Sequence, residues 1–225
     1  MLRRFDTCTL SNAIELLNLR PRNEGFIART AECQFPALPP VVGYAVTGRI
    51  RTSMPPIRGR CYYDHTDWWQ YMAGLPEPRI VVVQDVDPTP GVGALFGEAH
   101  ARISRALGCV ACVTNGAVRD IPAIEGLGFQ LFAGNLSVSH AYAHIVDFGE
   151  TVEIGGLRIS SGDLLHGDLH GVHRIPLHAV DRLARAADCV LEGDREVAAL
   201  TDSRQFSLEA LTALLEKADK RRLCD

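Results

Sequence analysis

Two short stretches of this chain hold the residue types that chemistry needs. One is Gly97-Glu98-Ala99-His100, and the other is Thr114-Asn115-Gly116-Ala117-Val118-Arg119-Asp120. An adjacent Arg and Asp at the end of a strand can do two jobs together. The carboxylate grips a divalent cation, and the guanidinium grips an anion beside it. A glycine that opens a helix adds backbone N–H groups aimed at the same anion. The combination describes a site for a small, metal-chelating, negatively charged molecule.

Plainer readings compete at each position. Asp120 stands where a helix N-cap belongs, with Arg119 as a salt-bridging neighbour, and Glu98 suits the positive end of a helix. His140 and His144 are four apart, as on one helix face. His166, His170 and His173 fall in a strand-turn-strand run, where that spacing does not bring side chains together, so a histidine metal site is disfavoured. Cys109-Val110-Ala111-Cys112 opens an apolar, strand-like run without a second pair or a helix start, which reads as buried thiols. In Gly91-Val92-Gly93-Ala94-Leu95-Phe96-Gly97 the third glycine falls one residue late for a dinucleotide loop, and no strand precedes it. Asp163 and Asp168 read as turn-setting residues, and Gly155-Gly156 as structural.

The elements that must position these residues follow from pattern. Thr9-Leu10-Ser11-Asn12 caps a helix that continues through residues 13–17. Residues 22–39 read as irregular, with Pro36, Pro39 and Pro40 marking a loop. Residues 41–52 are rich in β-branched side chains and form a strand. Residues 63–72 are helical, with Trp68, Trp69 and Tyr71 giving a face for the core or a subunit interface. Residues 79–85 are a continuous apolar strand of the kind buried on both faces. A helix at 99–107, a strand at 109–114, a helix at 121–127 and a strand at 129–133 follow. That alternation implies parallel strands with crossover helices. Residues 151–159 make a hairpin around Gly155-Gly156. Residues 161–163 turn into strands at 164–168 and 171–175, and Pro176 introduces a helical tail at 177–198 and 207–221. No low-complexity linker and no repeat interrupts the chain. It reads as one domain over 1–225, with a core at 9–176 and a tail at 177–225.

Composition narrows the function. The 225 residues are 47% hydrophobic and 22% charged, which supports a sizeable core. A net charge of −4 argues against direct nucleic-acid binding, which needs clustered Lys and Arg. The short basic groups at 20–22, 49–60 and 217–222 read as solvated surface. No apolar run approaches the roughly 18 residues of a membrane span. The N-terminal residues lack the apolar core of a signal peptide, and the seven cysteines are odd in number and scattered. A cytoplasmic protein with reduced thiols is expected.

The chain resembles the RraA-like family, which joins regulators of ribonuclease activity with the divalent-metal class II pyruvate aldolases. The latter cleave 4-hydroxy-4-methyl-2-oxoglutarate and related acids. The matching stretches are Gly43-Tyr44-Ala45-Val46-Thr47, Gly97-Glu98, residues 108–120, residues 129–134, and Gly155-Gly156 through Ser161-Gly162-Asp163 to Asp168-Leu169-His170-Gly171-Val172. The resemblance implies an α/β fold, a swivelling α/β/β sandwich with mixed, partly parallel sheets and a helical C-terminal tail. It also implies a homotrimer or homohexamer with sites between subunits. By the same resemblance Asp120 binds Mg²⁺ or Mn²⁺ and Arg119 contacts the substrate. Gly97 with the Ala99 and His100 amides receives the pyruvate carboxylate, Asn115 lies in the substrate region, and Glu98 orders a metal-bound water. Glu196 in the tail corresponds loosely to an acid supplied by a neighbouring subunit.

This chain departs from the aldolase pattern in several places. Glu98 stands where Asp is common, and Asn115 stands where many members carry Asp, a form also met in the ribonuclease regulators. Ala99-His100 replaces an apolar pair, Asn12 replaces a common Asp, and Ala143 occupies the region of an aldolase-type Lys. The expected activity is a divalent-metal-dependent lyase acting on a small 2-oxo acid through a metal-stabilised pyruvate enolate. It would cleave a 4-hydroxy-2-oxo acid by retro-aldol reaction or decarboxylate oxaloacetate. The alternative is a non-catalytic, protein-binding regulator of ribonuclease activity. Retention of Glu98, Arg119 and Asp120 argues for chemistry.

Overall fold

Strand and helix propensities are realised over most of the chain in a computed structural model that describes residues 1–56 and 65–222. In chain order the elements begin with helix α1 (Thr7–Leu16), strand β1 (Glu32–Cys33), strand β2 (Val41–Arg51), helix α2 (His65–Ala73) and strand β3 (Arg79–Asp85). Strand β4 (Ala94–Phe96), helix α3 (Glu98–Ala106), strand β5 (Cys109–Thr114), strand β6 (Ala117–Val118) and helix α4 (Ile121–Gly126) follow. Next come β7 (Gln130–Ala133), β8 (Asn135–Leu136), β9 (His144–Phe148), β10 (Val152–Ile154) and β11 (Leu157–Ile159). Strands β12 (Leu164–Asp168) and β13 (Gly171–Ile175) precede helices α5 (Val180–Thr201) and α6 (Leu208–Arg222). The chain divides into two units. The larger holds Leu2–Thr7 and Asn23–Leu177, and the smaller holds Met1, Cys8–Arg22 and His178–Asp225.

In the larger unit the main sheet runs in the order β1-β7-β5-β3-β2-β12-β13, with β9 also paired to β2. The pairs β2–β3, β3–β5 and β5–β7 are parallel, as the alternation of strands and helices predicts, while β1, β9, β12 and β13 pair antiparallel. Side chains alternate across each strand. Val81 and Val83 of β3 join one apolar cluster with Trp68, Met72, Ala101 and Ile124 of the covering helices. Ile80 and Val82 join the other, with Val152, Ile154, Leu157 and Ile159 of the β10–β11 hairpin. Coverage on both faces explains why β3 reads as an unbroken apolar run. Arg79 is the exception in that strand: its buried guanidinium donates to the carbonyls of Leu75 (2.7 Å) and Ala73 (2.9 Å) and pairs with Glu77 (3.1 Å).

Several expectations need correction. Helix α1 begins at Thr7, so Thr9 to Asn12 lie inside it rather than capping it. A strand, β1, interrupts the stretch 22–39 expected to be irregular, and β4, β6, β8 and β9 were not anticipated. The first four of these have two or three residues each, too few to show a period. His140 lies in a loop and His144 opens β9, so the two do not share a helix face. The start of the helix expected at 63–72 falls partly on Tyr63 and Asp64, outside the described residues.

The β12–β13 hairpin brings together two of its three histidines, seven residues apart, without forming a metal-sized cluster among the described residues. Its register sets His166 opposite His173, with ring centroids 5.4 Å apart and nearly perpendicular. Both are buried. His166 Nε2 donates to the Phe5 carbonyl (3.1 Å), which leaves Nδ1 to accept from the Thr7 hydroxyl (3.3 Å). Asp168 accepts the N–H of His170 (2.9 Å), setting the turn as expected, and the N–H of Thr7 (2.7 Å). The thiols of Cys109 and Cys112 are buried in β5, and burial pushes the Cys109 thiol up to about 12.

The smaller unit contains α5, α6 and most of α1. Helix α5 buries Leu183, Ala184, Ala186 and Ala187 and packs against α6. Among the described residues no helix is long and apolar enough to cross a membrane.

Candidate active site

The site is built on a second sheet of three very short parallel strands in the order β4-β6-β8. Phe96 and Val118 anchor the ends of β4 and β6 in the apolar core, which fixes where the following residues emerge. The chain leaves β5 at Thr114 and bends through Asn115 and Gly116. The Asn115 carboxamide bonds twice to the main chain of Asp85, accepting its N–H (2.8 Å) and donating to its carbonyl (2.9 Å). A Cβ on Gly116 would stand 3.1 Å from the Asp85 Cβ, so a close approach of this turn to the end of β3 favours glycine. The Arg119 N–H then donates to the Phe96 carbonyl (3.1 Å), and that bond brings Arg119-Asp120 beside Gly97-Glu98.

Asp120 occupies the N-cap position of α4 but does not act as its cap. Its backbone is left-handed (φ 60°, ψ 37°), and its side chain makes no capping bond. Non-glycine residues reach this region at some cost, Asp and Asn least. Oδ2 instead accepts the Glu98 N–H (3.1 Å), and Arg119 Nε lies 3.3 Å and 3.4 Å from Oδ1 and Oδ2. The Glu98 N–H holds the Asp120 carboxyl below the usual carboxylate range. Partial burial works against this, and the positive charge of Arg119, with a smaller contribution from His140, works with it. A Cβ on Gly97 would come within 2.6 Å of Asp120 Oδ2 and 2.9 Å of Arg119 Cγ. A side chain there would displace the Asp120 carboxylate or the Arg119 stem.

Gly97 is the extended N-cap of α3, whose first internal bond runs from the Ala101 N–H to the Gly97 carbonyl (3.0 Å). The amides of Glu98, Ala99 and His100 therefore lie in the first turn, ahead of the helical ladder. The Glu98 side chain turns along the helix, where Oε1 accepts from Nε (2.8 Å) and Nη2 (2.7 Å) of Arg102. Gly97, Glu98, Arg119 and Asp120 thus come together as expected, with Ala99 and His100 in the same turn. Asn115 is placed differently, with both ends of its carboxamide on Asp85. Glu196 lies in α5, in the smaller unit.

Two features escaped sequence reasoning. His140 Nδ1 lies 2.7 Å from the Ala94 carbonyl, and a carbonyl can only accept, so Nδ1 carries the proton. No local pattern signals this contact. The other is a buried pair of carboxylates, one closing β3 and one just beyond it. Asp85 accepts the N–H groups of Asp87 (3.1 Å) and Gly91 (2.8 Å), and Asp87 accepts those of Thr52 (2.6 Å) and Ser53 (2.8 Å). An Asp closing an otherwise apolar strand, repeated two residues on, was the available signal.

Among the described residues no group of three or more His, Cys, Asp and Glu side chains converges as a metal cage. A single exposed carboxylate in a tight glycine cradle suits a hard cation that keeps most of its water, and does not suit a tetrahedral zinc cage. A cavity of about 380 Å³ lies elsewhere, lined by Arg3, Leu38, Glu77, Arg105, Gly108 and Phe129 among others.

Residues 7–173 match the family model for RraA-like proteins, described as Aldolase/RraA. The chain belongs to the RraA-like family. This family includes both aldolases and ribonuclease inhibitors. A Halalkalibacterium halodurans protein provisionally named 4-hydroxy-4-methyl-2-oxoglutarate aldolase is 29% identical over 126 residues. That alignment covers 55% of this chain and 58% of the relative, so the chain spans little more than half the length of that curated protein. Among solved structures, an uncharacterized Pseudomonas syringae protein superposes with a TM-score of 0.70 at 21% identity, covering 96% of this chain and 89% of that one. Streptomyces coelicolor RraAS2, a member of the RNase ES inhibitor RraA family, superposes with a TM-score of 0.65 at 18% identity, covering 90% and 94%. At these identities the superpositions establish the RraA-like mixed α/β fold, and nothing about activity.

Proposed function

We propose that this RraA-like protein is a divalent-metal-dependent lyase that breaks a C–C bond of a small 2-oxo acid and releases pyruvate. The observation that carries the reading is Asp120. Its carboxylate has left its own helix and sits on the Glu98 N–H beside Arg119, on a left-handed backbone, in a place that a Cβ at position 97 would crowd. Strained backbone at a polar, partly exposed position is a mark of functional sites.

Asp120 is the residue that would hold Mg²⁺ or Mn²⁺, with water filling the remaining positions. Such a cation, when bound, supplies Lewis-acid charge at the oxygens of the 2-oxo acid. The amides of Ala99 and His100 receive the substrate carboxylate at the start of α3. In the retro-aldol direction Glu98, through a water, takes the proton of the 4-hydroxyl. The C3–C4 bond breaks, and its electron pair moves into the C2 carbonyl to give the enolate of pyruvate. Arg119 faces the charge that grows on that oxygen. Protonation at C3 completes pyruvate, and the same enolate follows loss of CO₂ from oxaloacetate. Asn115 serves as the staple that holds the turn before β6 on Asp85, a positioning role. The working form is a homotrimer or homohexamer in the cytoplasm, in which Glu196 of a neighbouring copy completes the site.

Incubation with oxaloacetate and a panel of 4-hydroxy-2-oxo acids, with Mg²⁺ or Mn²⁺, is expected to release pyruvate. Asp120→Ala is expected to abolish that release. Silence of the wild-type protein across the panel would overturn the lyase reading and return weight to a regulator of ribonuclease activity.

A further inference from the structure

The cavity of about 380 Å³ has the size of a small-molecule site, for which about 300–1,000 Å³ is usual. It lies at the starts of the four parallel strands of the main sheet. Val41 opens β2, Pro78 precedes β3, Gly108 precedes β5, and Phe129 precedes β7, and all four line it. The candidate active site is reached from the opposite ends of β3 and β5, at Asp85 and Thr114. Arg105 lines the cavity from the last turn of α3, about 10 Å along that helix from Glu98. The cavity is a separate place.

Three charged side chains line it: Arg3, Glu77 and Arg105. Glu77 is already answered by the buried guanidinium of Arg79 (3.1 Å). Arg79 also donates to the Leu107 carbonyl, so the same cation answers the negative end of α3. Arg3 donates Nε to the Pro40 carbonyl (3.2 Å), which ties its guanidinium to the rim and leaves its two Nη groups. Among the described residues neither Arg3 nor Arg105 has a carboxylate within ion-pair distance. Two uncompensated cations therefore face one cavity, in a chain whose net charge is −4. Between them the wall is largely apolar, with Leu38, Val41 and Val110 in it.

We infer that this cavity binds a small carboxylate with a short apolar body, its head held by Arg3 and Arg105 and its body against Leu38, Val41 and Val110. The paired Nη groups of an arginine match the two oxygens of a carboxylate. A purely polar anion would leave the apolar wall wet, and an uncharged hydrocarbon would leave both guanidiniums unanswered. The inference stands apart from the lyase reading, since it needs neither the metal nor Asp120.

Ligand-observed NMR titration of the full chain with hexanoate, in EDTA, tests it without reliance on turnover. Hexanoate is expected to bind with a Kd on the order of 1 mM. Acetate lacks the body and 1-hexanol lacks the charge, and each should compete about tenfold more weakly or worse. Arg105→Gln and Arg3→Gln should each weaken hexanoate about tenfold, and Arg105→Lys by less. Both arginines are exposed, so these variants are expected to melt with the wild type. Arg119→Gln, which alters the candidate active site, should bind hexanoate as the wild type does. Absence of saturable binding, or undiminished affinity in both Arg3→Gln and Arg105→Gln, overturns the inference. Loss of binding in Arg119→Gln places the anion in the other site and overturns it as well. Acetate competing as well as hexanoate overturns the apolar half of the site.

Discussion

The carboxylates at the end of β3 and those beside β4 and β6 follow opposite rules. Asp85 and Asp87 are buried, and each is surrounded by N–H and hydroxyl donors from Thr52, Ser53 and Gly91 or from one another. Burial pushes the Asp87 carboxyl up, but the hydrogen bonds from Thr52 and Ser53 outweigh it and hold the group below the usual range. Such a carboxylate has spent its lone pairs on loop geometry. Asp120 receives one backbone N–H and a contact of 3.3 Å from its neighbour Arg119, on a strained residue at the surface. Saturated carboxylates hold structure, and undersaturated ones in strained settings are available to ligands. The contrast predicts that the two groups fail in different ways when altered.

The largest effect is expected at the undersaturated end. Asp120→Asn keeps a residue type that tolerates the left-handed backbone and removes the charge. Turnover should fall by about a thousandfold or more, as when a principal electrostatic group is lost, while the melting temperature stays close to wild type. Gly97→Ala should match it, because the new Cβ would stand 2.6 Å from Asp120 Oδ2 and displace the carboxylate. Steady-state kinetics and thermal melts on the same samples check both. A stable variant with undiminished kcat at either position would break the comparison.

The opposite signature is expected at Asp87. Asp87→Ala leaves the buried Thr52 N–H and the Ser53 N–H without their acceptor, at a cost of about 3 kcal/mol. Denaturant unfolding should register this loss, with kcat of the surviving folded protein little changed. If Asp87→Ala instead abolished turnover without loss of stability, the buried pair would belong to the chemistry. The division drawn here would then be wrong.

The two regions were not equally legible in the sequence. Strands β2, β3, β5, β12 and β13 and helices α3 to α6 were found within a few residues, because runs of β-branched residues and helical spacing act over enough positions to show. Strands β4, β6 and β8 have too few residues to carry a period, and they are the ones that aim Gly97 and Arg119. The proximity of Gly97-Glu98 to Arg119-Asp120 was legible through the resemblance to a family. The reason for it is a tertiary hydrogen bond from Arg119 to Phe96, which no local pattern encodes. Asp120 looked like a helix cap because its position is that of a cap. What the string of residues could not convey is that its backbone is left-handed and that its side chain sits on the Glu98 N–H instead of its own helix. His166 and His173 are seven apart and meet only because the tip of their hairpin is two residues long.

The smallest predicted effect sharpens the comparison from the saturated side. His166 joins Asp168 in fixing Phe5 and Thr7 to β12. Burial lowers the His166 pKa, against the opposing charges of Asp168 and Asp6. The unfolded chain therefore binds a proton at this residue more readily than the folded one. Stability from neutral His166 is fully present above the ordinary histidine pKa of about 6.5 and is lost as pH falls below it, levelling once the lowered folded value is passed. Asp168 has the same sign in a lower window. Burial raises it, but the N–H bonds of Thr7 and His170 bring it down on balance, so its contribution is lost only as pH falls below the ordinary carboxylate value of about 3.9. Acid unfolding should thus proceed in two steps, the upper belonging to the histidine. His166→Gln, which can still donate to Phe5 and accept from Thr7, should flatten the upper step and leave the lower. Urea midpoints measured from pH 8 to pH 3 decide the matter. An upper step that persists unchanged in His166→Gln would remove the buried imidazole from the account of acid stability.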